Sequence, residues 1–141
     1  MNRFFLSRPV TLFEYIRIKN DFDDIVKGRW VSEKNLLLIF QFFGKTFEKD
    51  ELIDRLSHLH LKAQKSELKG LECFKDNQIL YAKTFNPSVK ILHSQIQEAL
   101  DLPPNEDFIP HITLMRIKKI PHEELLHKRI HLYDQKVIGL L

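Results

Sequence analysis

Phe108-Ile109-Pro110-His111-Ile112-Thr113-Leu114-Met115-Arg116 is an alternating stretch that reads as a β-strand. Residues two apart on a strand share a face. The pattern therefore predicts Ile109, His111, Thr113 and Met115 on one side, with Ile112 and Leu114 on the other. An imidazole beside a hydroxyl suits phosphate chemistry. The imidazole titrates near neutrality and moves a proton, and the hydroxyl donates to a phosphoryl oxygen. The plain alternative is a His and a Thr exposed on a half-buried strand. By the same parity Arg116 points away from His111 unless a bulge re-aims it. It then reads as a solvent-facing charge at the strand end, with Lys118 and Lys119 solvated beyond it.

Outward from this strand, the chain predicts a mixed α+β protein. Residues 3–7 read as a short strand. Pro9 and Thr11 open a helix carrying Leu12, Tyr15, Ile16, Phe22, Ile25 and Val26, with Gly28 as its stop. Residues 35–43 are a continuous apolar run closed by Gly44, the pattern of a strand covered on both faces. Residues 48–63 repeat Leu52, Leu56 and Leu59 at helical spacing behind an acidic first turn. Residues 68–74 and 78–84 read as a hairpin across Lys75-Asp76-Asn77. Pro87 opens a helix with Val89, Leu92, Ile96 and Leu100 on one face.

Residues 102–107, with two prolines and two acids, read as a linker. Residues 121–129 predict a helix, and residues 130–133 and 136–140 predict closing strands. The order β-α-β-α-β-β-α-β-α-β lacks the regular alternation of a parallel sheet.

The totals fit one domain spanning residues 1–141, long enough to bury a core without staples. Eleven phenylalanines suggest sheet packing. A net charge of +3 suits an anionic ligand without demanding one. The single Cys73 excludes an internal disulfide, fits a reducing compartment and reads as a buried structural thiol. No apolar run is long enough to span a bilayer, and residues 1–9 lack a signal-peptide pattern. The cytoplasm is the expected location, and a monomer without membrane contact the expected state.

Seven histidines invite metal readings. His58 and His60 point to different sides of their helix. His122 and His127 stand one residue too far apart for a helical zinc pair, which needs i and i+4. His127 and His131 have that spacing, but a helix end is expected between them. His93 sits on a helix with no obvious partner. No metal or cofactor is expected.

The stretch from Phe108 to Arg116 resembles the second motif, P-H-x-T-L-x-R, of the RNA 2′,3′-cyclic phosphodiesterases, long named 2′-5′ RNA ligases, within the two-histidine phosphoesterase superfamily. Arg3-Phe4-Phe5 resembles the family's opening strand, and Arg29-Trp30-Val31 its R-W-V. Leu71 to Phe74 with Ile79-Leu80-Tyr81 resembles its central hairpin. Ile130-His131-Leu132-Tyr133 resembles its closing segment, with Asp134-Gln135 where the family continues with Ser.

The resemblance implies two pseudo-symmetric lobes, with antiparallel sheets around a central groove and helices outside. Each lobe supplies one H-x-T motif. The implied partner is an RNA 3′ end or nucleoside bearing a 2′,3′-cyclic phosphate, which is opened to a 2′-phosphate without metal. His111 and Thr113 are the implied catalytic residues, and Arg116 the implied substrate contact.

The first motif departs from the family. Where the family reads N-L-H-x-T-L-x-F-L-G, this chain has Asn35-Leu36-Leu37-Leu38-Ile39-Phe40-Gln41-Phe42-Phe43-Gly44. Asn35, Phe42 and Gly44 are kept, but the histidine position is Leu37 and the threonine position Ile39. The expected groove holds one imidazole against an apolar wall. Losing one acid–base partner costs ~10²–10⁴-fold in rate. A stand-in by His58, His60 or His93 requires a helix to turn that side chain into the groove. Three readings follow: a phosphodiesterase relative with impaired activity, a non-catalytic nucleotide or RNA-end binder, and an interaction protein that has lost the site. Surviving His111, Thr113 and Arg116 speak against the last.

Overall fold

The computed structural model describes residues 3–59, 64–74, 78–105 and 107–141. His60, the expected hairpin turn at Lys75-Asp76-Asn77, residues 60–63 of the expected 48–63 helix and Glu106 of the linker lie outside the described residues, and that helix already ends at Leu56, short of Leu59.

The chain is α+β. It forms strands β1 (Phe4–Pro9), β2 (Thr11–Leu12), β3 (Lys27–Trp30), β4 (Leu37–Gly44), β5 (Glu67–Lys69), β6 (Leu71–Phe74), β7 (Ile79–Lys83), β8 (His111–Lys119) and β9 (Val137–Leu140). The helices are α1 (Tyr15–Asp23), α2 (Lys49–Leu56), α3 (Pro87–Ala99) and α4 (Glu123–His131). The larger sheet runs β1-β4-β8-β7-β6, with β3 also paired to β8. All its pairings are antiparallel. A second antiparallel sheet has the order β2-β9-β5.

The centre of the large sheet creates the groove. Leu38 and Ile112 pair directly across β4 and β8, and both are fully buried. Each such aliphatic side chain contributes ~1.5–3 kcal/mol of burial. That pair clips together two halves, β1–β4 on one side and β3-β8-β7-β6 on the other. Helix α3 packs on β4, α4 on β6, α2 on α3 and α1 on α4. This is the two-lobed, antiparallel, groove-centred architecture expected for a two-histidine phosphoesterase.

Several local expectations are corrected. The first helix begins at Tyr15, because Thr11 and Leu12 are taken up by pairing with Leu140 and Gly139. Gly28 does not stop a helix. It lies in β3, where a Cβ would meet the Arg116 carbonyl oxygen at 2.1 Å. The close approach of β3 to β8 therefore demands glycine there.

β4 is not covered on both faces. Leu38, Phe40 and Phe43 are buried, while Leu37, Ile39 and Gln41 are half-buried on the groove side. Residues 68–74 are two strands in two sheets, broken at Gly70, whose φ of +83° only glycine adopts readily. Ile130 and His131 belong to α4, so 130–133 is no strand, and His127 and His131 share one helix. Cys73 is partly buried against the core rather than enclosed. The helix from Pro87 stands as expected, with Asn86 capping the Ser88 N–H and Val89, Leu92 and Ile96 buried.

Candidate active site

One groove of about 420 Å³ gathers the motif residues. His111, Thr113 and Arg116 line it from β8, and Leu37, Ile39 and Gln41 line it from β4. The Leu38–Ile112 pairing in an antiparallel ladder sets Ile39 level with His111 and Leu37 level with Thr113. The two stretches thus meet across one groove.

His111 is held in a defined orientation. Its Nδ1 lies 2.8 Å from the Ile109 carbonyl oxygen. A carbonyl only accepts, so Nδ1 carries the proton and donates, which leaves Nε2 as the atom for chemistry. The imidazole also stands near-perpendicular to two aromatic rings. Phe74 lies 5.2 Å away at 84° and Tyr81 5.4 Å away at 70°, and these two rings stack on each other at 4.2 Å. Both come from the β6–β7 hairpin, which pairs with β8 through β7. The Tyr81 hydroxyl is pushed up to about 12, first by burial and then by the charge of Glu72 and by Cys73.

Arg116 reaches the groove against plain parity. Tyr81 pairs with Thr113 and Leu80 with Met115, so Leu114 is an extra residue on β8. This bulge sends both Leu114 and Met115 into the core and returns Arg116 to the side of His111 and Thr113. Met115 is therefore not a groove residue. Ile109 precedes the strand and is half exposed outside the groove lining. The bulge is anchored from α1. The buried Tyr15 hydroxyl lies 2.7 Å from the Val31 carbonyl oxygen and 3.1 Å from that of Leu114, donating to one or the other. Burial, with Glu33 adding, raises this hydroxyl to about 12.

The groove contains a second imidazole, for which helical spacing gives no warning. His93 on α3 is 95% buried, yet lines the groove. Its Nδ1 lies 2.6 Å from the Phe40 carbonyl oxygen, and its ring stacks on Phe108 at 3.8 Å. β4 bulges at Phe40, since Leu6 pairs with Gln41 and Ser7 with Ile39. A bulged residue falls out of the ladder, and His93 takes up its carbonyl. Periodicity alone marks His93 only as a residue one position from the apolar Leu92. The bulge that exposes its acceptor has no signature in composition.

The other described histidines do not line this groove. His58 follows α2 beside Gln95 and Glu98. His127 lies 3.8 Å from Glu123, and His131 lies 2.9 Å from Asp134. Among the described residues no helix is long and apolar enough to cross a membrane.

No family model matches the chain. In sequence it is 27% identical over 129 residues to the RNA 2′,3′-cyclic phosphodiesterase of Aquifex aeolicus (strain VF5), which covers 79% of this chain and 69% of that protein. In structure it resembles E. coli LigT in apo form, with a TM-score of 0.66 at 19% identity over 84% of this chain and 74% of LigT. The protein TT0787 of Thermus thermophilus matches at a TM-score of 0.60 and 19% identity, over 86% of this chain and 79% of that one. LigT complexed with 3′-AMP matches at 0.59 and 18% identity, over 82% and 71%.

Proposed function

We propose that this chain, which belongs to the RNA 2′,3′-cyclic phosphodiesterase family of two-histidine phosphoesterases, acts on terminal 2′,3′-cyclic phosphates with impaired turnover. The observation that carries the reading is the convergence of His111, Thr113 and Arg116 on one groove, against Leu37 and Ile39 at the positions of the first motif.

In the reaction water adds to phosphorus, the P–O3′ bond breaks, and O3′ leaves with a proton to give a 2′-phosphate. One group must take a proton from water and another must give one to O3′. His111, with Nδ1 committed to Ile109, offers Nε2 for one of these transfers. Thr113 and Arg116 hold the phosphoryl oxygens and offset the charge that builds on them. Leu37 moves no proton and Ile39 donates no hydrogen bond. The loss of the first transfer costs ~10²–10⁴-fold, or roughly 3–5 kcal/mol of barrier. The reading takes residues 1–141 as one two-lobed unit, working as a monomer in the cytoplasm on an RNA 3′ end or a nucleoside 2′,3′-cyclic phosphate.

The apolar wall of Leu37 and Ile39 favours a second reading, a non-catalytic binder of nucleotides or RNA ends on the same scaffold. The two separate in one experiment. Purified protein is incubated with a nucleoside 2′,3′-cyclic phosphate beside His111→Ala. The first reading expects slow formation of the 2′-phosphate that His111→Ala abolishes. Binding without product in either protein establishes the second and ends the first.

A further inference from the structure

The groove has an end that the phosphate chemistry leaves unused. There Gln41 Oε1 and His93 Nε2 are both buried without a hydrogen-bond partner among the described residues, and both side chains line the groove. One N–H of Gln41 and the Nδ1–H of His93 are already committed. Gln41 Nε2 donates to the Phe42 carbonyl oxygen at 2.9 Å, which fixes which end of the amide is free. His93 Nδ1 donates to the Phe40 carbonyl oxygen at 2.6 Å, which leaves Nε2 with a lone pair. Two acceptors cannot satisfy each other. Both carry the desolvation penalty of an unmade hydrogen bond until something brings donors.

The surroundings define that donor. Phe108 lies flat on His93, and Phe42, two-thirds exposed, closes the rim of the groove. Flat apolar walls beside two acceptors suit a planar ring with N–H groups on its edge. Gln41 lies beyond Ile39, which is level with His111, on the far side of the bulge at Phe40, so this end of the groove is displaced along β4 from His111. Both ends belong to one groove of about 420 Å³, as a nucleotide with its phosphate at one end and its base at the other requires.

We propose that this end of the groove is a nucleobase subsite, in which Gln41 Oε1 and His93 Nε2 accept from the exocyclic amino edge of adenine, cytosine or guanine and disfavour uracil. The proposal rests on the reading of the groove as a nucleotide site and names what that site selects. Uracil offers one N–H flanked by two carbonyl oxygens, so any approach sets a carbonyl against an acceptor. Amino-bearing bases offer two N–H bonds.

The test is calorimetric binding of the 2′,3′-cyclic phosphates of cytidine, uridine, guanosine and inosine to the intact chain. Cytidine is expected to bind at least about ten-fold more tightly than uridine, and guanosine more tightly than inosine, which lacks the amino group. These comparisons alter the ligand and leave the protein's folding untouched. In Gln41→Leu and His93→Phe the preference closes. Equal affinity for all four overturns the subsite while leaving the cyclic phosphate reading intact. A preference that survives both substitutions also overturns it. Absence of binding by any of the four overturns both.

Discussion

Thr113 and Arg116 line the same groove although three positions separate them on one strand, because the extra residue Leu114 reverses the alternation between them. An unbulged strand would place them on opposite faces. The shared placement of Thr113 and Arg116 therefore depends on a backbone irregularity as much as on side-chain identity.

Arg116→Gln tests what the bulge delivers. A charge-assisted bond to phosphate contributes about 1.5–3 kcal/mol. Affinity for a nucleoside 2′,3′-cyclic phosphate is expected to fall ~10–100-fold, measured by calorimetry. The wild-type affinity is also expected to weaken as salt rises, more steeply than that of the variant. An unchanged affinity places Arg116 outside the binding contacts.

Gly28 holds β3 against the strand that carries Arg116. A Cβ there would lie 2.1 Å from the Arg116 carbonyl oxygen, whereas one on Gly44 meets nothing among the described residues within 4 Å. Gly28→Ala is expected to destabilise by about 2–4 kcal/mol through strand displacement. Gly44→Ala, strained only by its φ of +63°, is expected to cost about 1 kcal/mol. Urea unfolding of the two variants side by side reads the difference, and equal losses remove steric approach as the cause.

Tyr15→Phe removes the hydroxyl that reaches the Val31 and Leu114 carbonyls. A buried hydrogen bond contributes about 1 kcal/mol, so Tm is expected to fall about 3–5 °C for a chain of this size. Because Leu114 is the bulged residue, cyclic phosphate affinity is expected to fall with it. A stability loss with affinity intact would show that the bulge holds without its clamp.

Alkaline stability follows from the same tyrosines. Tyr15 and Tyr81 are each raised from 10.0 to about 12, chiefly by burial. Burial and the hydrogen bond to Asp21 raise Tyr133 as well. Above pH 10 the unfolded chain releases these protons while the folded chain keeps them, so the unfolded state binds fewer. Stability present below pH 10 is thus expected to decline between pH 10 and 12. Tm measured from pH 8 to 11 should fall less steeply for Tyr81→Phe than for the wild type, and parallel curves would locate the cause elsewhere.

Leu37→His with Ile39→Thr tests the proposed loss of the first motif at strand positions that line the groove. If the groove is otherwise competent, hydrolysis is expected to rise ~10²–10⁴-fold, followed by product chromatography. A well-folded double variant with no gain would mean that the lobes no longer hold the two motifs at reacting distance.

Much of the architecture is legible because periodicity reports burial directly. The leucine and valine spacing after Pro87 forms a helix, and the alternation from His111 to Thr113 forms a strand, since each pattern buries one face only in that geometry. Short β2 is not legible. Thr11 and Leu12 join a strand because Leu140 and Gly139 come to pair with them from the far end of the chain. Gly28 escapes a local reading for the same reason, because its constraint comes from the Arg116 backbone and not from its neighbours in sequence.

By itself the sequence determined that His111 and Thr113 share a face of one strand and that Leu37 and Ile39 share a face of another, because strand parity is a local property of the chain. Only the tertiary structure decided where Arg116 points and that His93 enters the groove. Both outcomes depend on bulges, at Leu114 and Phe40, and a bulge is defined by the register of one strand against another.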